Sequence, residues 1–227
     1  MDARLARLSI VIPALNEAQG ICGCLDALAP VRARGHEIIV VDGGSGDQTG
    51  ERARPLADKV MTSERGRARQ MNAGARAAKG DALLFLHADT RLPADADSMI
   101  LESLKDHLWG RFDVRIDGRH ALLPLVAFAM NVRSRHTGIA TGDQAIFVRR
   151  EAFAGFPEVP LMEDVAFSKA MKRRGAPACL RSRAVTSGRR WEQGGVLRTV
   201  ALMWRLRLLY ALGASPERLA REYAERR

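Results

Sequence analysis

Apolar residues recur along the chain in short, dense blocks separated by turn-forming residues. Leu8-Ser9-Ile10-Val11-Ile12-Pro13 reads as a buried strand ended by proline. Ala18 to Leu28 has helical spacing. Ile38-Ile39-Val40-Val41-Asp42 is a second strand, β-branched, followed by the loop Gly43-Gly44-Ser45-Gly46-Asp47. Asp47 suits the N-cap of a helix over Thr49–Ala57. A short strand at Lys59-Val60-Met61, a helix over Gly66–Ala78 and a buried strand over Ala82–Leu86 come next. Strand alternating with helix through short connections predicts an α/β fold, a mostly parallel central sheet flanked by helices.

The second half is less regular. Pro93–Leu108 reads as a helix, and Arg111–Ile116 alternates polar and apolar as an edge or antiparallel strand does. Ala121–Met130 is apolar but too short to span a bilayer. Ala145–Val148 reads as a strand and Asp164–Arg174 as a helix with an acidic first turn. Val196–Leu212 is apolar with Arg198, Arg205 and Arg207 embedded. No repeat, low-complexity linker or domain boundary breaks the chain, so one domain over residues 1–227 is expected.

Chemistry enters at the ends of the strands. Asn16 and Glu17 follow the first, Asp42 closes the second, and His87 and Asp89 follow the strand Ala82–Leu86. Ligands of open parallel sheets gather outside the carboxyl ends of the strands. Each carboxylate alone is ordinarily a turn or cap residue. Three at successive strand ends, projecting from one edge of the sheet, point to a site. A carboxylate there can hold Mg²⁺ or Mn²⁺ against a diphosphate.

Gly44, Gly46 and Gly50 follow a strand, but their G-x-G-x-x-x-G spacing and the preceding acid do not fit a dinucleotide fingerprint. No phosphate-binding G-x-x-x-x-G-K-[ST] loop is present. Cys22, Cys24 and Cys179 lack disulfide or zinc spacing and are expected to be reduced. No apolar secretory segment precedes the first strand and no stretch is long enough to span a membrane, so a cytoplasmic protein is expected. Net charge is +10, with 36 basic residues, and aromatics make up 5%. The basic balance suits anionic partners. The scarcity of aromatics argues against a stacking surface for single strands, and no nucleic-acid partner is expected.

Six ordered segments carry a resemblance: Ile12-Pro13-Ala14-Leu15-Asn16-Glu17, Val41-Asp42-Gly43-Gly44-Ser45-Gly46-Asp47-Gln48-Thr49, Gly66-Arg67-Ala68-Arg69-Gln70-Met71-Asn72-Ala73-Gly74, Leu86-His87-Ala88-Asp89, Thr141-Gly142-Asp143-Gln144-Ala145 and Met162-Glu163-Asp164-Val165. With Ser187-Gly188-Arg189-Arg190-Trp191, they resemble family 2 glycosyltransferases, inverting enzymes of GT-A type, and most of all the small bacterial single-domain branch. The resemblance implies a nucleotide-sugar part over about 8–90, an acceptor and catalytic part over about 91–191, and a C-terminal helical tract over about 192–227. It implies transfer from a UDP- or GDP-sugar to a hydroxyl acceptor with a divalent metal as cofactor.

It also implies roles. Pro13, Ala14, Asn16, Glu17, Asp42 and Gly44 belong to the nucleotide pocket. Arg67, Gln70 and Asn72 lie near the diphosphate, with His87, Ala88, Gly142, Asp143, Gln144 and Arg189 on substrate. Asp89 is the last acid of the metal motif. Asp164 is the general base, with Glu163, Arg190 and Trp191 beside the chemistry. Two departures stand out: His87 replaces the first acid of the metal motif, and the glutamine expected near Ser187 is missing. Imidazole ligates Mn²⁺ but is a poor Mg²⁺ ligand. The other functions weighed are a sugar nucleotidyltransferase, though the loop after the first strand lacks its glycines, and a basic nucleic-acid-binding module. The C-terminal tract suits a helix packed on the domain or on a second copy. Packing is the commoner fate of an apolar helix, but the tract also suits one lying on an anionic membrane, where it would meet a lipid-linked acceptor.

Overall fold

A computed structural model describes residues 7–225; the expectation about the N-terminal segment therefore falls largely outside the described residues. The strands are β1 (Leu8–Ala14), β2 (Glu37–Asp42), β3 (Lys59–Thr62), β4 (Ala82–Phe85), β5 (Thr90–Arg91), β6 (Trp109–Asp117), β7 (Ile146–Arg149) and β8 (Ala178–Ser187). They form one sheet in the order β3-β2-β1-β4-β7-β6-β8-β5. The half β3-β2-β1-β4 is parallel, as the alternation of strand and helix requires. Beyond β4 the sheet is mixed, since β7 runs antiparallel to both β4 and β6, and β8 runs parallel to β6.

The near-continuous apolar runs of β1, β2 and β4 follow from burial on both faces. Ile10, Ile12, Ile38, Val40 and Leu84 point to one side, where Ile21, Leu25 and Leu28 of α1 (Ile21–Ala33) pack. Val11, Ile39, Val41, Leu83 and Phe85 point to the other, against Ala68, Met71 and Ala75 of α3 (Arg67–Ala77) and Phe167 and Met171 of α6 (Glu163–Lys172). Side chains alternating across each strand divide the core into these two layers.

Several elements differ from expectation. The helix expected from Ala18 begins at Ile21, because the Gly20 and Ile21 amides close a turn on the Glu17 carbonyl and the Ala18 amide donates to Asp47. It then runs past the exposed Pro30 to bury Val31. The helix α2 is short, Thr49–Ala53, and α4 covers only Ala96–Ser103, since the chain first forms β5. The segment expected as an edge or antiparallel strand, Arg111–Ile116, runs antiparallel to β7 but lies inside the sheet between β7 and β8, with Arg111 fully buried. The strand β8 was not anticipated; its Leu180-Arg181-Ser182-Arg183 run reads as surface.

The C-terminal tract forms α7 (Arg189–Gly194), α8 (Val196–Ala211) and α9 (Pro216–Glu225). One face of α8 packs: Leu206 is fully buried with Leu219 of α9 and with Met162 and Val165 at the start of α6. Its other face leaves Leu197, Trp204 and Leu208 exposed, by 71%, 69% and 61%. The helix α5 (Leu123–Thr137) likewise buries Leu123 and Ala127 and exposes Leu125 and Phe128. Among the described residues, no helix is long and apolar enough to cross a membrane.

Candidate active site

The chain winds outward from β1 through α1 to β2 and β3, then crosses back through α3, on the opposite face of the sheet, to β4 on the other side of β1. Such a switch in winding opens a crevice at the carboxyl ends of the strands. The loop after β1 and the loop after β2 are stitched across it. The Asn16 amide donates to Ser45 Oγ at 2.9 Å, and the Gly46 amide donates to Asn16 Oδ1 at 2.9 Å. Asp42 Oδ1 accepts from both the amide (2.8 Å) and the hydroxyl (2.6 Å) of Ser45. Glu17 is fixed through its amide to Thr49 Oγ1 at 2.9 Å. Asn16 takes a left-handed φ of 55°, a conformation asparagine tolerates.

Partial burial, together with the Asp89 charge, pushes the Glu17 carboxyl above its usual range, against the opposing pull of Arg189. Arg189 Nη2 lies 3.6 Å from Glu17 Oε2. Asp89 is exposed, with long contacts from Thr90 Oγ1 (3.4 Å) and Thr186 Oγ1 (3.5 Å) to Oδ1. Among the described residues no three His, Cys, Asp or Glu side chains group as metal ligands. The donor set still fits a hard cation. Mg²⁺ and Mn²⁺ sites in phosphate enzymes commonly take one or two protein carboxylates and complete their shell with phosphate and water. The Asp89 charge that acts on Glu17 is one a cation there would neutralise.

His87 is turned toward another residue. Its Nδ1 is 3.2 Å from Asp143 Oδ1, and its Nε2 is buried without a partner against Gly142. Burial acts to raise the Asp143 carboxyl, but the His87 hydrogen bond and charge, with Arg190 and Arg67, outweigh it and hold it down at about 2. Gly142 needs to be glycine, because a Cβ there would collide with the His87 ring.

Gly142 also reaches the expected base. Its backbone N–H donates to Asp164 Oδ2 at 3.1 Å, and the Val165 N–H donates to Asp164 Oδ1 at 2.7 Å. Asp164 is thus held in the first turn of α6 by its own helix and by the turn Gly142–Gln144. Met162, just before, takes a left-handed φ of 70° that aims Glu163 and Asp164 inward. Burial and the Glu163 charge raise the Asp164 carboxyl to about 6, despite the two amide hydrogen bonds and Arg67. Arg67 Nη1 lies 3.5 Å from Glu163 Oε1. One cavity is lined by Arg67, Phe85, His87, Gly142, Glu163 and Asp164.

Other residues singled out in the sequence hold the frame. Gln70 is buried and its Nε2 donates to the Ala14 (2.7 Å) and Val41 (2.9 Å) carbonyls, tying the ends of β1 and β2. Asn72 exchanges hydrogen bonds with the Phe156 backbone at 2.9 and 2.8 Å. Gln144 is fully buried and caps its own turn with Thr141. The amides of Gln70, Asn72 and Gln144, expected near or on substrate, make their hydrogen bonds to protein partners. Ala14 and Ala88 are buried in the core layer on the α1 side of the sheet. Trp191 packs with Val114, Ile116 and Leu123. Sequence reasoning assigned no part to Ser45, Thr49, Arg111 or Arg133. The Ser45 and Thr49 positions were signalled by the Asp-Gly-Gly-Ser-Gly-Asp-Gln-Thr run; the two arginines carried no local signal.

The parallel sheet half, the stitched loops and the carboxylates at one edge define an α/β fold with a candidate site at the carboxyl ends of its strands. The family model of glycosyl transferase family 2 matches residues 9–156, and the chain belongs to that family. A PGL/p-HBAD biosynthesis glycosyltransferase of Mycobacterium tuberculosis is 35% identical over 107 residues, covering 44% of this chain and 42% of that protein. The dolichol-phosphate mannosyltransferase of Pyrococcus furiosus is 27% identical over 107 residues, covering 44% of this chain and 30% of that protein. The matches thus span less than half of these relatives' length. Among solved structures, S. aureus TarS in complex with UDP superposes with a TM-score of 0.63 at 20% identity, covering 80% of this chain and 60% of that one. The Pyrobaculum calidifontis mannosyltransferase in complex with GDP-Man and Mn²⁺ gives 0.62 at 24% identity, covering 81% and 57%. The fold is that of the GT-A glycosyltransferases.

Proposed function

We propose that the protein is an inverting glycosyltransferase that moves a sugar from a nucleotide-diphosphate sugar, a UDP- or GDP-sugar, to a hydroxyl acceptor. The observation that carries this reading is Asp164. It is a carboxylate raised to about 6, fixed at a helix start and joined through Gly142 to the His87 ring that follows β4. Inverting transfer is a single displacement at the anomeric carbon, with the base on the face opposite the leaving group. Asp164 takes the acceptor hydroxyl proton as that oxygen bonds to the anomeric carbon. The bond to the diphosphate oxygen breaks in the same step, and its electron pair leaves with the nucleotide diphosphate. A base with this pKa is ionised at neutral pH and still accepts a proton readily.

Asp42 and Asn16 frame the nucleotide end, and Arg189 and Arg190 bring positive charge toward the leaving diphosphate. Asp89, with Glu17 beside it, would hold Mg²⁺ or Mn²⁺, which supplies further charge neutralisation when bound. TarS and the Pyrobaculum mannosyltransferase, whose structures contain UDP and GDP-Man with Mn²⁺, support this donor class through their shared fold.

The acceptor is proposed to be presented at a membrane surface. Support comes from the exposed Leu197, Trp204 and Leu208 of α8, with Arg198 and Arg205 on the same helix. Residues 188–227 carry nine arginines and four glutamates, 9 − 4 = +5, which suits an anionic lipid surface. The test of the proposed reaction is release of nucleotide diphosphate from a panel of UDP- and GDP-sugars. Release with at least one donor, lost in Asp164→Asn, is expected. Release that is unchanged in Asp164→Asn, or none with any donor, contradicts the reading.

A further inference from the structure

The proposed mechanism uses none of the arginines that α5 and β6 bring together near Asp164. Arg133 lies on α5, and its Nε and Nη2 are both buried without a hydrogen-bond partner. Burial lowers its guanidinium, Asp164 is the carboxylate whose charge opposes this, and Arg111 adds like charge. Arg111 is fully buried; its Nη1 pairs with Asp113, its Nη2 donates to the Asn131 carbonyl at 3.4 Å, and its Nε has no partner. Asp113 is shared, since Arg135 Nη2 donates to both of its oxygens at 2.9 and 3.0 Å.

The same side chains lead to the base. Asn131, two residues before Arg133, accepts from the Val114 amide at 2.8 Å and faces Gln144 Nε2 at 3.5 Å. Gln144 closes the turn that begins at Gly142, the donor to Asp164. Arg111 and Arg135 share Asp113, while Asp164, on which Arg67 and Glu163 also act, is the carboxylate whose charge acts on Arg133. Neither Nε nor Nη2 of Arg133 has a hydrogen-bond partner in any of these groups. A buried charge is retained at cost unless something pairs with it. The unpaired groups of Arg133 are also of one kind. Nε–H and Nη2–H lie along one side of the guanidinium and form the fork that meets two oxygens of a phosphate or carboxylate.

We infer that Arg133, backed by Arg111, binds an anionic group of the acceptor, a phosphate or carboxylate, beside Asp164. The site accordingly selects acceptors that carry that anion near the hydroxyl to be glycosylated. This rests on the transfer reading, but the anion site is testable without turnover.

The probe is inorganic phosphate, titrated by calorimetry against the full chain with Mg²⁺ and saturating UDP, so that the donor diphosphate site is filled, at constant ionic strength. Acetate replaces phosphate in a parallel series. The expected result is saturable binding of at least one anion that survives UDP. Arg133→Gln weakens it at least tenfold while leaving UDP affinity unchanged, and Arg133→Lys, which keeps the charge but not the fork, falls between. The tighter anion names the acceptor group. Unchanged UDP affinity in both variants shows that they fold. Loss of anion binding on adding UDP, or equal binding by Arg133→Gln and the wild type, overturns the inference. If UDP itself does not bind, the donor reading falls. In that case Arg133-dependent phosphate or acetate binding by the free protein supports the anion site, and its absence overturns it.

Discussion

The Gly142 backbone N–H donates to Asp164 Oδ2 at 3.1 Å, and the same glycine leaves the space that the His87 ring fills. One residue therefore joins the strand end that carries Asp89 to the helix start that carries Asp164. The absence of a side chain is what permits it, since even a methyl group would meet the buried imidazole.

Gly142→Ala should separate these two ends. The added methyl displaces either His87 or the turn, and overpacking of this kind costs about 1–3 kcal/mol. Nucleotide release from the donor sugar should fall at least tenfold while UDP binding is largely kept. Thermal denaturation together with the two assays checks this; full activity in the variant would show that the contact can relax freely.

Asp164→Asn should lose transfer by about 10²–10⁴-fold, the usual contribution of a positioned general base, without losing donor binding. The wild-type pH profile carries the same information. Asp164 is raised to about 6, so it is protonated below that pH and cannot accept the acceptor proton. kcat/KM should therefore rise with pH through about 6 and level off above, and the limb should be absent from the residual rate of Asp164→Asn. For stability the sign is opposite. The folded-state value lies above the ordinary 3.8, so ionisation opposes folding, and stability is gained as pH falls from about 6 toward 3.8.

Much of this site was legible before any coordinates. The dense apolar runs of β1, β2 and β4, separated by helical segments, pointed to a parallel sheet, with Asn16, Asp42 and Asp89 emerging from one edge of it. What was not legible depended on long-range contacts. Arg111 looked like the polar face of an edge or antiparallel strand, because nothing local reveals that β8 pairs beside it and that its guanidinium reaches Asn131 of α5. The strand β8 itself reads as surface, since its arginines line an otherwise short apolar pattern. Gln70 and Asn72 matched residues expected at substrate, yet their amides satisfy carbonyls exposed where strands and loops separate. Buried carbonyls must be paired, and side-chain amides are the available donors.

The C-terminal helices bear on both stability and location. Leu206 and Leu219 pack on Met162 and Val165, so removing the tract would disturb the helix start that holds Asp164. Point substitutions on the exposed face separate the two roles. Trp204→Ser with Leu208→Ser should leave the melting temperature and nucleotide release within error of wild type. The same pair should abolish flotation with vesicles containing anionic phosphatidylglycerol. Equal flotation of variant and wild type, or none by either, would remove the membrane role of this face.

The central claim is that a nucleotide diphosphate is held with a divalent cation at the ends of β1, β2 and β4. Calorimetric titration of UDP and GDP with Mn²⁺ or Mg²⁺ tests it directly, using the wild type, Asp89→Ala and Asp164→Asn. The account predicts saturable binding of one nucleotide that the cation strengthens, at least tenfold weaker in Asp89→Ala with its melting temperature little changed, and intact in Asp164→Asn. Binding that is indifferent to the cation and equal in all three proteins, or no binding of either nucleotide, would contradict it.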